Sequence, residues 1–147
     1  NYGWYLCTRD RVPEALPRFD RALAVPRDRT PSRTLLAKGV CEARSGALEA
    51  AEATLKRGFE LDAGNPAIAM NLADVLMRRG ELERARFYVR RVNDNAELRN
   101  AESLWLASRI EFRLGNEQGA RDFGYQLRAA YPDSPEAAAF ARGGFHE

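Results

Sequence analysis

The stretches GVCEARSGALEAA (39–51), ADVLMRRGELERA (73–85) and SRIEFRLGNEQGA (108–120) decide the fold of this chain, because they repeat one pattern. Each begins with a small residue, has a glycine seven positions later, and ends with an alanine five positions after that glycine. The glycines are Gly46, Gly80 and Gly115, so the spacings are 34 and 35 residues. A period of this length indicates stacked helix–turn–helix units, with glycine in a turn conformation that is costly for other residues.

This pattern resembles the tetratricopeptide repeat, whose small residues lie where the two helices of a unit touch closely. We therefore predict an all-α fold, a tetratricopeptide superhelix (α-solenoid) of about three and a half repeats. First helices are expected at about 32–45, 66–79 and 100–114, and second helices at about 48–61, 82–93 and 117–130. Ser134 followed by Pro135 predicts a short C-terminal helix over about 134–142.

An earlier unit fits the same frame, with Gly3 in the small-residue position and Asp10 in the turn. Its helices would cover about 1–9 and 12–25, and Pro17 would distort the second of them. The first helix is shortened, so we expect a C-terminal fragment of a longer protein. The predicted organisation is a single domain over 1–147, with units at about 1–26, 32–65, 66–99 and 100–133.

Composition supports a helical protein that is not a dedicated nucleic-acid binder. The chain has 24 Ala and 21 Arg, both good helix formers, and an all-β fold is excluded. The 23 basic and 21 acidic residues give a net charge of +2 and are interspersed along the chain. Nucleic-acid binders concentrate basic residues on one face, so no nucleic-acid partner is predicted.

No motif in the chain predicts catalysis, a cofactor or a metal site. His146 is the only histidine, and it follows Gly143 and Gly144 in a tail expected to fray. A glycine-rich phosphate loop, HExxH and GxSxG are all missing from the sequence. Scattered Asp and Glu residues are expected to form surface ion pairs. We therefore predict no enzyme activity.

The two cysteines, Cys7 and Cys41, are 34 residues apart, which is one repeat. They fall in the first helices of successive units, and such helices pack side by side in this architecture. We predict a disulfide between them, which would indicate an oxidising compartment such as the periplasm. The alternative is two buried free thiols that behave as small apolar residues.

A protein-binding groove is predicted along the first helices, which line the concave face of tetratricopeptide stacks. The family's inner positions in the second unit hold Arg33, Leu36 and Val40, and Ala67 is the first such position of the third. Apolar side chains there would anchor a partner segment, and arginines would meet acidic or carbonyl acceptors. The alternative is that the aromatic residues only pack between repeats and that the arginines are solvated. The predicted groove residues are Trp4, Arg44, Met70, Asp74, Met77, Arg78, Trp105, Arg109, Phe112 and Arg113.

Five ordered segments resemble the bacterial type IV pilus biogenesis and stability lipoproteins of the PilF/PilW type. The segments are NYGWYLC (1–7), RFDRALAVP (18–26), KGVCEARSG (38–46), AESLWLASRIEFRLGN (101–116) and LRAAYPDSPEA (127–137). The resemblance implies a lipid-anchored monomer on the periplasmic face of the outer membrane. There it would help the pilus secretin reach that membrane and multimerise, or it would stabilise pili.

Two other functions remain open from the sequence. One is a general tetratricopeptide adaptor that binds a different protein partner and needs no disulfide. The other is a non-catalytic domain of a larger enzyme. Free thiols would favour the adaptor, and detectable turnover would favour the enzyme domain.

Overall fold

The computed structural model describes residues 31–146, in which seven α-helices follow one another without a strand. The helices are α1 (Pro31–Arg44), α2 (Leu48–Leu61), α3 (Pro66–Arg78), α4 (Leu82–Asn93), α5 (Ala101–Arg113), α6 (Glu117–Ala130) and α7 (Pro135–Ala141). Every helix predicted between residues 32 and 142 is present, and each end differs from the predicted one by at most one residue. The all-α prediction is confirmed. The predictions for 1–9, 12–25 and Pro17 lie outside the described residues.

The three turn glycines adopt the backbone conformation that their spacing predicted. Gly46, Gly80 and Gly115 have φ values of 88°, 80° and 83°. A side chain at such a φ is strained, whereas glycine adopts it readily. Each glycine therefore ends one helix and redirects the chain into the next.

The chain divides into two compact units, Asn1–Arg79 and Gly80–Glu147. In the described part of the first unit, α2 packs against both α1 and α3. Leu35, Leu55 and Leu72 are fully buried there. The small residue Gly39 allows α1 and α2 to approach closely, because a Cβ atom on it would lie 2.5 Å from Leu55 Cγ. The prediction of a single domain over 1–147 stays a prediction.

In the second unit, α5 lies at the centre and packs against α4, α6 and α7. Leu104, Ile110 and Leu127 form part of its buried core. Ser108 occupies the small-residue position and is also fully buried. Its hydroxyl donates a hydrogen bond of 2.7 Å to the Ala120 carbonyl, so the polar group is satisfied where α5 meets α6.

Helix α7 begins as predicted and is followed by a segment that turns back onto α5. The Ser134 hydroxyl accepts a hydrogen bond from the Ala137 amide at 3.0 Å, and Pro135 stands in the first turn. After the helix, Gly143 has a φ of 70° and Phe145 packs against the buried cluster around Trp105. In this structure the tail packs against α5, because the aromatic side chain of Phe145 finds an apolar surface to cover. That the tail frays stays a prediction.

Candidate functional site

The predicted groove residues fall into both units. Arg44 ends α1, and Met70, Asp74, Met77 and Arg78 lie on α3, so these five belong to the first unit. Four others lie on α5 in the second unit, namely Trp105, Arg109, Phe112 and Arg113. Trp4 lies outside the described residues. Each set is described below within its own unit.

In the first unit, α1 and α3 form a cavity of about 460 Å³. Its walls are mainly aliphatic, with one guanidinium group and two amide groups among them. Four of the lining residues, Arg33, Leu36, Val40 and Ala67, occupy positions that the repeat frame assigned to the inner face. The full lining is Arg33, Leu36, Ala37, Val40, Asn65, Ala67 and Asn71. Such a surface suits an apolar side chain whose neighbouring groups accept hydrogen bonds.

The predicted residues of the first unit differ in how accessible they are. Arg44 is exposed and Met70 is half-buried. Asp74 and Arg78 form an ion pair of 3.1 Å on the surface of α3. Met77 is only 4% exposed, so its side chain belongs to the core and is not presented to a partner. Three successive residues of α3, Val75–Met77, are buried. A repeat pattern that assigns one face of the helix to the core and the other to a partner does not predict burial all around the helix.

In the second unit, the predicted aromatic residues are already covered by the chain itself. Trp105 is 7% exposed, and its ring centroid lies 5.4 Å from that of Phe145. The Phe145 ring stacks on Phe112 with centroids 4.2 Å apart and planes 7° from parallel. Arg109 places its guanidinium carbon 5.5 Å from the Trp105 centroid, a cation–π distance. We call Trp105 and Phe112 the aromatic face of α5; it is a filled surface, not an open groove.

Two residues that were not predicted from the sequence, Phe140 and Phe145, complete this arrangement. Phe140 lies 6.5 Å from Trp105 and 6.1 Å from Phe145, centroid to centroid. The available signal was the pair of phenylalanines on either side of Gly143 and Gly144. Two aromatic residues spaced by a turn can return to the same apolar surface.

A buried ion pair was also missed. Glu111 on α5 is 3% exposed and accepts hydrogen bonds from Arg86 Nε at 2.8 Å and Arg86 Nη2 at 2.7 Å. Asn116 Nδ2 donates to the same carboxylate at 2.8 Å. The hydrogen bond with Glu111 raises the pKa of the Arg86 guanidinium above its ordinary value. The prediction of surface pairing is wrong for Glu111, since the carboxylate joins α4 to α5 inside the unit.

Of the two cysteines in the predicted disulfide, only Cys41 is among the residues that the structure describes. Cys41 is fully buried in α1 and is not a free cysteine. Cys7 lies outside the described residues, so the Cys7–Cys41 pairing stays a prediction.

Within residues 31–146, no three or more His, Cys, Asp and Glu side chains cluster as metal ligands would. None of the helices in that range has the length and hydropathy needed to cross a bilayer.

Comparison with known proteins finds similarity to tetratricopeptide repeats in the chain. Two family models described as tetratricopeptide repeat match residues 3–66 and 42–101. A curated relative, the type IV pilus assembly protein PilF of Pseudomonas aeruginosa, is 27% identical over 140 residues. That alignment covers 95% of this chain and 55% of the relative, so the chain spans about half the length of the relative it matches.

Solved structures of pilus biogenesis proteins and of another tetratricopeptide repeat protein are also similar to this chain. The crystal structure of PilW, described as a widely conserved type IV pilus biogenesis factor, matches with a TM-score of 0.89 and 37% identity, covering 96% of this chain and 64% of PilW. A structure of Pseudomonas aeruginosa PilF matches with a TM-score of 0.79 and 26% identity, covering 97% and 64%. A tetratricopeptide repeat protein from Parabacteroides merdae shares the fold alone, with a TM-score of 0.81 and 18% identity over 97% of this chain and 58% of that one.

Proposed function

Because this chain is a tetratricopeptide-repeat protein homologous to the type IV pilus biogenesis proteins PilF and PilW, we propose that it is a non-enzymatic protein-binding scaffold for type IV pilus biogenesis. The observation that carries the proposal is the likeness to PilW, which extends over nearly the whole of this chain in both sequence and fold. Tetratricopeptide units offer surfaces for other proteins, which supports a binding function.

The finer proposal concerns the partner and the place of action. In the first version of this proposal, the partner is the pilus secretin, and the scaffold helps the secretin to reach the outer membrane and to multimerise. In the second version, the scaffold stabilises assembled pili. The full-length protein is held by a lipid at the periplasmic face of the outer membrane and acts as a monomer. The resemblance of the five sequence segments supports this assignment.

The cavity of the first unit is our proposed contact for an apolar anchor of the partner. Leu36 and Val40 give an aliphatic surface that an inserted side chain would bury. Arg33 and Asn71 lie at the same cavity and offer N–H groups to acceptors beside that anchor. Binding is non-covalent and follows from shape and hydrogen bonding.

A deletion strain tests the function as a whole. The full-length gene is deleted, and twitching motility, surface pili and SDS-resistant secretin multimers are scored. Loss of both pili and multimers would support secretin assembly, whereas loss of pili with normal multimers would support fibre stabilisation. A strain unchanged in all three measurements would contradict the proposal.

The cavity is tested by complementing that strain with Leu36→Glu. A carboxylate in the aliphatic lining would repel an apolar anchor, so we expect twitching and multimers to stay at the level of the deletion strain. The matched control is Leu61→Glu, since Leu61 is exposed and outside the cavity. Full complementation by both variants, each present at wild-type level, would overturn the role of the cavity.

A further inference from the structure

The segment after α7 is held in place by a specific turn. The Gly143 amide donates to the Phe140 carbonyl at 3.0 Å, and the Gly144 amide donates to the Ala139 carbonyl at 2.9 Å. With the positive φ of Gly143, these bonds form a Schellman motif. The motif reverses the chain and delivers Phe145 to the aromatic face of α5.

Beyond that turn, the contacts of the segment within residues 31–146 are made by its rings. Phe145 stacks on Phe112 and contacts Trp105, and His146 meets Phe112 edge-on at 5.6 Å. In the described part of the chain, neither Phe145 nor His146 makes a hydrogen bond. Helix α7 itself is secured differently, by its Ser134 cap and by the buried Ala137 and Ala139. The segment can therefore detach while α7 stays in place.

The surface under the segment has the character of a ligand site. Trp105, Arg109 and Phe112 occupy the positions that the repeat frame assigns to partner binding, and they combine aromatic area with positive charge.

We propose that the segment Gly143–His146 is an internal competitor for a peptide-binding site on α5. Its natural ligand is a partner segment that inserts one aromatic side chain. The aromatic ring takes the place of Phe145 against Phe112 and Trp105. The identification of the ligand as a protein rests on the proposed function, and the aromatic preference rests on the stacking of Phe145.

Internal competition has a measurable consequence. The tethered Phe145 ring fills the site most of the time. The apparent dissociation constant of an incoming peptide is therefore its intrinsic dissociation constant divided by the fraction of open sites. A tether this short gives an effective concentration in the millimolar range. Removing the Phe145 ring should therefore strengthen peptide binding by about tenfold or more.

The test uses the full chain carrying Phe145→Ala and a probe peptide with the sequence of residues 142–147, RGGFHE. Both this variant and the parent carry Trp4→Phe, so that Trp105 is the only tryptophan and its fluorescence reports the site. We expect saturable binding of RGGFHE to Phe145→Ala, at least about tenfold weaker binding to the parent, and no binding of the peptide RGGAHE. The matched control is Phe87→Ala, because Phe87 is exposed on α4 and lies outside the aromatic face.

Two outcomes would overturn the proposal. In the first, RGGFHE binds the parent and Phe145→Ala with equal affinity. In the second, the Trp105 fluorescence of neither chain shows a saturable response up to about 5 mM peptide. If Phe145→Ala loses helical circular dichroism, the same peptide assay is carried out on a second variant, in which the segment is released without removing Phe145. That variant combines His146→Ala with Gly144→Pro, and the proline removes the hydrogen bond that the Gly144 amide donates to the Ala139 carbonyl. The peptide assay uses no pilus component, so its failure and the failure of the pilus assays are distinguishable.

Discussion

Gly39 is a residue of the first unit at which a side chain has little room. It lies on α1 opposite Leu55 of α2, and Leu55 is fully buried. A Cβ atom at residue 39 would approach two Leu55 carbons to 2.5 and 2.6 Å. One methyl group there would force the two helices apart or move Leu55 out of its rotamer.

We expect Gly39→Ala to lower the free energy of unfolding by about 1–3 kcal/mol, since overpacking outweighs the small gain in helix propensity. The measurement is urea denaturation followed by circular dichroism. The control is Gly64→Ala, because a Cβ atom there meets nothing within 4 Å, and its effect should stay within about 0.5 kcal/mol. Equal effects of the two substitutions would contradict the close approach at Gly39.

The Arg86–Glu111 pair is a second determinant at the scale of single residues. Removing one partner of a buried pair leaves an uncompensated charge, and Glu111 is nearly inaccessible to water. We expect Arg86→Met to lower the free energy of unfolding by about 3 kcal/mol or more. Urea denaturation at neutral pH measures it.

The matched control for that substitution is Arg78→Met, which removes an arginine from an exposed ion pair with Asp74. Exposed pairs of this kind contribute about 0.5 kcal/mol or less. The double variant Arg86→Met, Glu111→Leu should recover part of the lost stability, because it also removes the buried carboxylate. If Arg86→Met lowers the free energy of unfolding no more than Arg78→Met does, the Glu111 carboxylate is hydrated and the expectation is wrong.

At the scale of the element, α7 depends on a glycine in the helix that it packs against. Gly124 of α6 is buried, and a Cβ atom there would lie 2.1 Å from the ring of Phe140. Phe140 in turn lies next to Trp105 and Phe145. A single glycine therefore sets how closely α7 approaches α6 and, through Phe140, how the aromatic residues are arranged.

We expect Gly124→Ala to displace α7, to speed hydrogen exchange in residues 135–141, and to lower the free energy of unfolding by about 1–3 kcal/mol. Native-state hydrogen exchange reports the change in α7, and urea denaturation measures the free energy of unfolding. The matched control is Gly58→Ala, another buried helical glycine, whose added Cβ would make an ordinary contact of 3.5 Å. Unchanged exchange in α7 would disprove the link between Gly124 and this helix.

At the scale of the whole molecule, the proposed Cys7–Cys41 disulfide would close a loop of one repeat. On the chain-entropy model such a loop contributes about 3–4 kcal/mol by restricting the unfolded chain. We expect Cys7→Ser and Cys41→Ser to lower the melting temperature by similar amounts, and the double variant to add little. Strictly additive losses would count against a shared bond. Reduction of the wild-type protein, followed by the same melting experiment, provides the independent check.

Much of the fold could be predicted because its signals are local. The positive φ at Gly46 and Gly115 and the cap at Ser134 depend on a few neighbouring residues, and each marks a helix end. The candidate site was less predictable. The repeat frame placed Leu36 and Val40 on the inner face, and both line one cavity, but it also assigned Met77 and Trp105 to a groove although both are buried. Helical periodicity gives the direction of a side chain and says nothing about what covers it.

The sequence by itself determined the helices and their turns, because these follow from propensity, backbone conformation and repeat spacing. The likeness to pilus biogenesis proteins came from the resemblance of five sequence segments and not from the repeat spacing. Only the tertiary structure decided that Glu111 pairs with Arg86 inside the second unit and that Phe145 returns to cover Trp105. Burial is a property of surfaces that meet, and residues 25 or 40 positions apart come together only when the helices between them have packed.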